Sequence, residues 1–374
     1  MKYLGGFSKS FPAKLRQQIL KVADHPDPSL TDILTLDATL GDYIGSTAVS
    51  VMQKFEKRGL STDAICSHGQ TVRHLPAKLM INRKKSSATC QVGSPERIAA
   101  LTQKIVVGDV RQGDIATGGE GAPITVAAVK LLFGDSRESR LIVNIGGISN
   151  YFWLPAGNSW DGIEAADCGP GNLLIDQLAQ KLFARPYDRN GALARQGKVS
   201  AELLVWALAR TKKNTRSTGR ESYGSSWLMQ FLAKGQSLAL NAHDLIATAT
   251  ALTAEVIAPH VSGFASQSRG RLRLSLTGGG AKNSFLVGRI SDLCAVGSEK
   301  RSGSVNAKVV VTTIDELGIP SQMVESASYA VMGGAVLAGY PLPTRWHANG
   351  KVAAAGYPGR IIQPSKVLRS RHTR

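Results

Sequence analysis

Apolar residues recur about every 3.6 positions between Lys14 and Lys57, the period of a helix that buries one face. Leu15, Ile19 and Val22 mark a first stripe, and Ile33, Leu36, Leu40, Ile44 and Val51 a second. Pro26-Asp27-Pro28 separates the two helices, because proline has no amide hydrogen to continue a helix. Beyond Lys57 the pattern changes to short β-branched runs closed by glycine. Ala64-Ile65-Cys66 predicts a strand that ends in a polar loop, Ser67-His68-Gly69-Gln70-Thr71, at the edge where open α/β sheets place ligands. Ile105-Val106-Val107 predicts another strand, ending in Gly108-Asp109-Val110-Arg111. A glycine-rich segment from Thr117 to Pro123 comes next, then a helix through Val126 to Phe133 and a turn at Gly134 to Arg137 that reads as interdomain.

A second unit starts at Leu141. Leu141 to Ile145 is a β-branched strand entering a Gly146-Gly147 hairpin turn and leaving through Tyr151-Phe152-Trp153-Leu154. Asp167 opens a strand-turn-helix, Asp167-Cys168-Gly169-Pro170-Gly171-Asn172, before the apolar Leu173-Leu174-Ile175. Leu272 to Thr277 forms a strand ending in Gly278-Gly279-Gly280-Ala281-Lys282-Asn283, with a helix from Ser284 to Leu293. Val309 to Thr312 is the last clear strand, and Glu325 to Leu337 a small-residue helix. The fold class is α/β.

Composition narrows the function classes. A chain of 374 residues exceeds what one hydrophobic core usually serves, so two domains are expected. No apolar run looks long enough to span a bilayer, so no membrane partner is expected. The basic, acid-free start resembles a mitochondrial presequence, but an amphipathic first helix explains the same residues. Cys66, Cys90, Cys168 and Cys294 stand far apart without zinc spacing, which points to a reducing, cytoplasmic setting. The formal net charge of +18 attracts polyanions. Its basic residues are dispersed, with local concentrations at Asn82 to Lys85, Arg210 to Lys213 and Lys366 to Arg374, and aromatics make up only 6%. That is too few for a stacking platform, so no specific nucleic acid is expected.

The loops carry the chemistry. Gly146-Gly147 presents backbone N–H groups that can cradle phosphate oxygens, and Gly278-Gly279-Gly280 lets a ring or phosphate reach the backbone beside a helix N-terminus. Neither is a Walker loop, since no Gly-Lys-Ser/Thr comes after it. Asp167 is either a helix-turn carboxylate or a general base, and its place between two glycine loops favours the base. Asn172 can cap the helix beginning there.

In order, these segments resemble the anhydro-N-acetylmuramic acid kinase family. The matching stretches are Ser67 to Val72, Val107 to Arg111 with Asp114 to Ala116, Gly118 to Pro123, Asn144 to Asn150, Asp167 to Asn172, Ser217-Thr218-Gly219-Arg220-Glu221, Thr277 to Asn283, and Gly318-Ile319 with Glu325. The resemblance implies the two-domain ATPase fold shared by actin, sugar kinases and heat-shock chaperones, with a central interdomain cleft. The domains would be 1–137 plus 325–374, and 138–324. It implies an enzyme that uses ATP, Mg²⁺ and water to open 1,6-anhydro-N-acetylmuramic acid and phosphorylate O6, in cell-wall sugar recycling. By resemblance Asp167 is the base for water and Glu325 helps hold that water. His68, Arg111, Gly118, Gly119 and Gly121 bind the sugar. Asn144, Gly146, Gly147, Gly169, Gly171, Asn172, Gly278, Gly279, Gly280 and Asn283 bind the nucleotide. Metal ligands are not assigned, and a homodimer is compatible with the sequence.

The chain also departs from the family. No Gly-Thr-Ser-x-Asp-Gly phosphate loop occurs in it, and Met1 to Phe11 matches the family segment just after that loop. Ser94 stands where the family has Asp, Cys168 where it has Thr, and Ser321-Gln322 where it has Gly-Asp. The expectation is an N-terminally incomplete first domain and impaired turnover, the alternative being a non-catalytic sugar- or nucleotide-binding relative. A basic nucleic-acid-associated protein ranks a distant third, since the net charge alone supports it.

Overall fold

Both N-terminal stripes form helices in the computed structural model, which describes residues 1–81, 83–211, 223–299, 307–346 and 352–364. Helix α1 (Ala13–Asp24) buries Leu15, Ile19 and Val22. Helix α2 (Leu30–Glu56) starts where the Ser29 hydroxyl accepts the Asp32 amide at 3.0 Å. On α2, Gly41 and Gly45 lie one turn apart and let α3 (Pro95–Thr102) come close: a Cβ at Gly45 would stand 2.7 Å from the Leu101 side chain. Ser94 caps α3, its hydroxyl accepting the Arg97 amide. An Asp there could cap equally well, so this departure from the family costs α3 little.

The chain divides into two units, Met1–Leu132 with Glu325–Arg374, and Phe133–Val324. The first carries β1 (Ala64–Cys66), β2 (Gln70–Ile81), β3 (Lys84–Val92) and β4 (Ile105–Gly108). Strands β1 and β4 pair in parallel, as the two β-branched runs predict. The polar loop after β1 is shorter than expected, because Gln70 and Thr71 already belong to β2, which forms an antiparallel hairpin with β3. The short helices α4 (Gln112–Ala116) and α5 (Val126–Phe133) come after β4.

The second unit is built on β5 (Ser139–Ile145), β6 (Ile148–Leu154), β7 (Glu164–Pro170), β8 (Arg271–Thr277) and β9 (Lys308–Thr313), in the order β7-β6-β5-β8-β9. Strands β5, β8 and β9 are parallel, and β6 and β7 antiparallel. Asp167 lies inside β7 rather than opening a new element. The helices are α6 (Asn172–Phe183), α7 (Ala201–Leu208), α8 (Ser225–Ser237), α9 (Ala242–Gln267) and α10 (Ser284–Glu299). Leu141, Val143, Ile145, Tyr151, Trp153, Leu272, Leu274 and Leu276 join α9 residues in the core. Alternation along the strands then turns Arg140, Asn144, Asn150, Asp167, Arg273 and Thr277 to the opposite face. Helix α9 corrects one expectation: by length and composition it could cross a membrane, yet most of it is buried in this core. Its mixed Ala and Thr content hides the stretch from a reading that looks for continuous large apolar residues.

The chain then closes the first unit with α11 (Val324–Leu337), the hairpin β10 (Leu342–Trp346) and β11 (Val352–Gly356), and β12 (Arg360–Ile362), which adds to β4. These three strands come after the one the sequence marks as last. They are short and carry Pro, Arg or Ala where a β-branched run would be expected. The motif Ser217 to Glu221, Asn82, Lys212, Lys213 and the basic tail from Lys366 lie outside the described residues.

At the start of β5 and β8, Glu138 binds Arg140 at 3.0 Å and Arg273 at 2.7 Å, and Arg140 also reaches Asp135. The arginines hold the Glu138 carboxyl below its ordinary range. Glu138→Gln takes the ion-pair partner from Arg273 and leaves Arg140 with Asp135 alone, and should lower the stability of this unit by about 2 kcal/mol, read from the urea midpoint. An unchanged midpoint would show that the cluster is solvated like a surface pair.

Candidate active site

The site residues expected from the sequence fall into two sets, one on each unit. On the second unit the glycine loops are tied to one another at the C-terminal ends of β5 and β8. Carbonyl oxygens of the Gly146-Gly147 turn accept from the N-terminus of α6: Asn172 N–H reaches Gly146 O at 2.7 Å, and Gly171 N–H and Leu173 N–H reach Gly147 O at 2.9 and 3.2 Å. Asn172 does not cap α6, whose N-cap is Gly171. Its side-chain amide instead donates to Ile145 O at 3.0 Å, which ties the helix to the end of β5. The Thr253 hydroxyl of α9 donates to Gly171 O from below.

Close approach explains several of these glycines. A Cβ on Gly171 would strike Gly146 O and stand 2.9 Å from the Ser149 hydroxyl. One on Gly280 would meet Ile145 and stand 3.0 Å from the Asn172 side-chain oxygen. Gly278 has a φ of +82° and would press on Asn144 and on Ile145 O. Gly146 differs, since among the described residues, its own chain neighbours aside, nothing comes nearer than 3.5 Å to its Cβ position. Packing does not demand a glycine there, whereas an anion approaching the turn amides would. Asn283 is buried and its side chain caps α10 by accepting the Leu286 amide.

Asp167 is aimed by an irregularity. Ser149 pairs with Gly169 and the next residue of β6, Asn150, pairs with Asp167, so Cys168 is an extra residue on β7. Such a bulge turns the strand locally and is common beside active sites. Gly169 takes the strain with a φ of +139°. Cys168 enters the core, where burial and the nearby Asp167 push its thiol up. Asp167 thus stands on the non-core face, at the end of the sheet that carries the glycine loops.

On the first unit, Arg111 is the hub. Its Nε donates to His68 Nε2 at 2.9 Å and its Nη1 to Gly121 O. His68 holds its own proton on Nδ1, towards Gly69 O at 3.1 Å, so it is the neutral tautomer. Burial and the Arg111 charge push its pKa down to about 4. The ring of Tyr329 on α11 stacks on His68, with centroids 4.8 Å apart, and its hydroxyl takes a hydrogen bond from Arg111. Burial and the Glu325 charge, one turn earlier on α11, push the phenol up. Glu325 itself is exposed. Behind Arg111, the buried Asp114 accepts the Gly121 amide at 2.7 Å and packs where a Gly119 Cβ would be. Gly118 and Gly121 have φ of +86° and +74°. The loop is therefore shaped by Asp114, and α11 can lie against β1 because Gly333 has no Cβ to strike Cys66.

Comparison with known proteins reads this arrangement. The family model for anhydro-N-acetylmuramic acid kinase matches residues 2–355. The chain is 33% identical over 326 residues to the anhydro-N-acetylmuramic acid kinase of Clostridioides difficile (strain 630), an alignment covering 86% of this chain and 81% of that one. It belongs to the anhydro-N-acetylmuramic acid kinase family. The enzyme of that name from Coxiella burnetii (strain Dugway 5J108-111) is 34% identical over 333 residues, covering 88% of this chain and 83% of that one. A solved xylulose kinase from Rhodospirillum rubrum aligns over 72% of this chain and 50% of its own at 16% identity, with a TM-score of 0.33, a likeness that carries no argument by itself.

Members of the anhydro-N-acetylmuramic acid kinase family are ATP-using phosphotransferases, and the α/β class expected from the sequence is the one observed. Tyr329 and Asp114 are the residues that sequence reasoning passed over. Tyr329 had a signal, since it lies four positions after Glu325 and shares its helix face. Asp114 lies inside a matched stretch, and the sequence assigns it no role there. Among the described residues no group of three His, Cys, Asp or Glu side chains converges to hold a metal. A magnesium ion carried largely by phosphate oxygens and water needs no such group.

Proposed function

We propose that this chain is built for the hydrolytic phosphorylation of 1,6-anhydro-N-acetylmuramic acid to N-acetylmuramic acid 6-phosphate. The observation that carries the reading is the register that sets Asp167 opposite Asn150, on the face away from the core and just before the Cys168 bulge and the glycine turn. Asp167 takes a proton from water as the water oxygen bonds to the anomeric carbon. The bond from that carbon to O6 breaks, O6 takes the γ-phosphoryl group, and ADP leaves. The Gly146-Gly147 turn and the Gly278–Gly280 loop hold the nucleotide. Arg111, His68 and the Gly118–Gly121 loop hold the sugar, with Glu325 helping to hold the water. A Mg²⁺ ion held by the phosphate oxygens and water would supply charge neutralisation as the phosphates part.

The expected result with ATP, Mg²⁺ and the anhydro sugar is saturable binding of both substrates and a phosphorylated product by mass spectrometry that Asp167→Asn abolishes. Sugar binding without turnover, unaltered by Asp167→Asn, would favour a non-catalytic binding protein. Failure to bind either substrate would overturn both.

A further inference from the structure

In the first unit the direction of Arg111 depends on that of His68. The guanidinium spends its Nε hydrogen on His68 Nε2 and an Nη1 hydrogen on Gly121 O, so a turn of the imidazole would cost it the first of these bonds. The imidazole holds Gly69 O, in the next residue of the chain, through Nδ1 at 3.1 Å. Rotation about the bond to a flat ring has broad minima, and a contact with the adjacent residue is a weak brake on it.

Tyr329 supplies the brake. Its ring lies over the His68 ring with centroids 4.8 Å apart and planes 20° from parallel, and it is itself buried. Helix α11 carries it. One turn further on, Gly333 lets that helix lie close to the end of β1, since a Cβ there would stand 2.6 Å from the Cys66 Cβ. Cys66 is two residues before His68. One helix-to-strand contact thus holds the two rings together.

We propose that Tyr329 is a positioning residue for the sugar side of the site: its ring, stacked on His68, keeps Nε2 turned to Arg111 and so fixes the guanidinium that meets the sugar. The role rests on reading Arg111 and His68 as sugar-binding residues. It lies in the flat face of the ring, and the phenol oxygen is secondary to it. The ionisable groups around His68 are Arg111 and the Tyr329 phenol, with Glu325 and the Cys66 thiol beyond the phenol. Burial pushes both the phenol and the thiol up, so neither adds a charge to the stack at neutral pH.

Proton signals of the His68 ring, assigned by their loss in His68→Gln, report its protonation through a pH titration of the full chain. Tyr329→Leu removes the flat face and opens the imidazole to water and rotation. The His68 midpoint should then rise by about 1 pH unit, because burial and Arg111 are what lower it. The anhydro sugar should bind about tenfold more weakly by calorimetry. Tyr329→Phe keeps the face and should match wild type in both readings. A non-hydrolysable ATP analogue should bind wild type and both variants alike, which a general loss of folding would not allow. An unmoved His68 midpoint or an unmoved sugar affinity in Tyr329→Leu would overturn the proposal, and so would a Tyr329→Phe variant that shifts as far. If Tyr329→Leu does not fold, Tyr329→Met takes its place and decides. A wild-type chain that binds no sugar would remove the sugar reading of Arg111, while the His68 titration would still decide whether Tyr329 holds the imidazole.

Discussion

Gly171→Ala is expected to abolish nucleotide binding and to lower the melting temperature by roughly 6–12 °C, because a loss of about 3 kcal/mol costs a unit of this size that much. The new Cβ would be driven into Gly146 O and crowd Ser149, at the point where the α6 N-terminus and the β5–β6 turn exchange hydrogen bonds. Neither partner is the free end of a flexible side chain, so one of the two loops must shift. Calorimetric titration with a non-hydrolysable ATP analogue and a thermal melt read the two consequences. Gly146→Ala is the control. Its Cβ has room within the protein, so the melt should move by no more than about 2 °C, while analogue binding should weaken if the turn receives phosphate. Unimpaired binding in Gly146→Ala would mean that the turn is structural only.

The second large effect concerns pH. His68 is held neutral in the folded chain, its pKa pushed from 6.5 down to about 4 by burial and by Arg111. A base whose pKa falls on folding contributes stability that is present above its unfolded value and lost as pH drops towards the folded one. Between pH 6.5 and about 4 the unfolded chain binds the extra proton, so acid favours unfolding in that window. The loss should reach roughly 2 kcal/mol after discounting for partial solvent contact. It comes earlier on acidification than the loss from Asp135 and Glu138, whose lowered carboxyl pKa values act below the ordinary carboxylate range. Urea midpoints measured across the window should fall steeply for wild type and less for His68→Gln, which keeps an acceptor for Arg111 but cannot titrate. Parallel slopes would show that His68 is not the sensor.

The elements legible in the sequence are those whose burial is one-sided or complete. The α1 stripe is buried as its spacing requires, and Leu141 to Ile145 is a core strand because its β-branched residues have nowhere else to go. The β2–β3 hairpin was not legible. Strand β3 carries mostly Lys, Ser, Thr and Gln, two register shifts break the alternation across the pair, and Arg83 with a φ of +61° stands where a hairpin turn would carry glycine. Site glycines could be found from spacing, because turn chemistry is local. What each does was not legible: Gly171 and Gly280 answer to the atoms of another loop, and Gly146 does not. Tyr329 was missed for the same reason, since its stacking on His68 joins residues 261 positions apart, and nothing near either in the chain announces the other.

The extra residue at Cys168 also sets a reading frame for its strand. Up to Asp167, β7 keeps one register with β6, and from Gly169 it keeps another. Deleting Cys168 would merge the two frames into one regular ladder, with Asp167 still opposite Asn150 and Gly169 still opposite Ser149. No side chain would change face, and what would go is the local turn that a bulge gives its strand. The extra residue therefore serves the direction of the carboxylate and of the glycine turn after it, and the pairing itself does not need it.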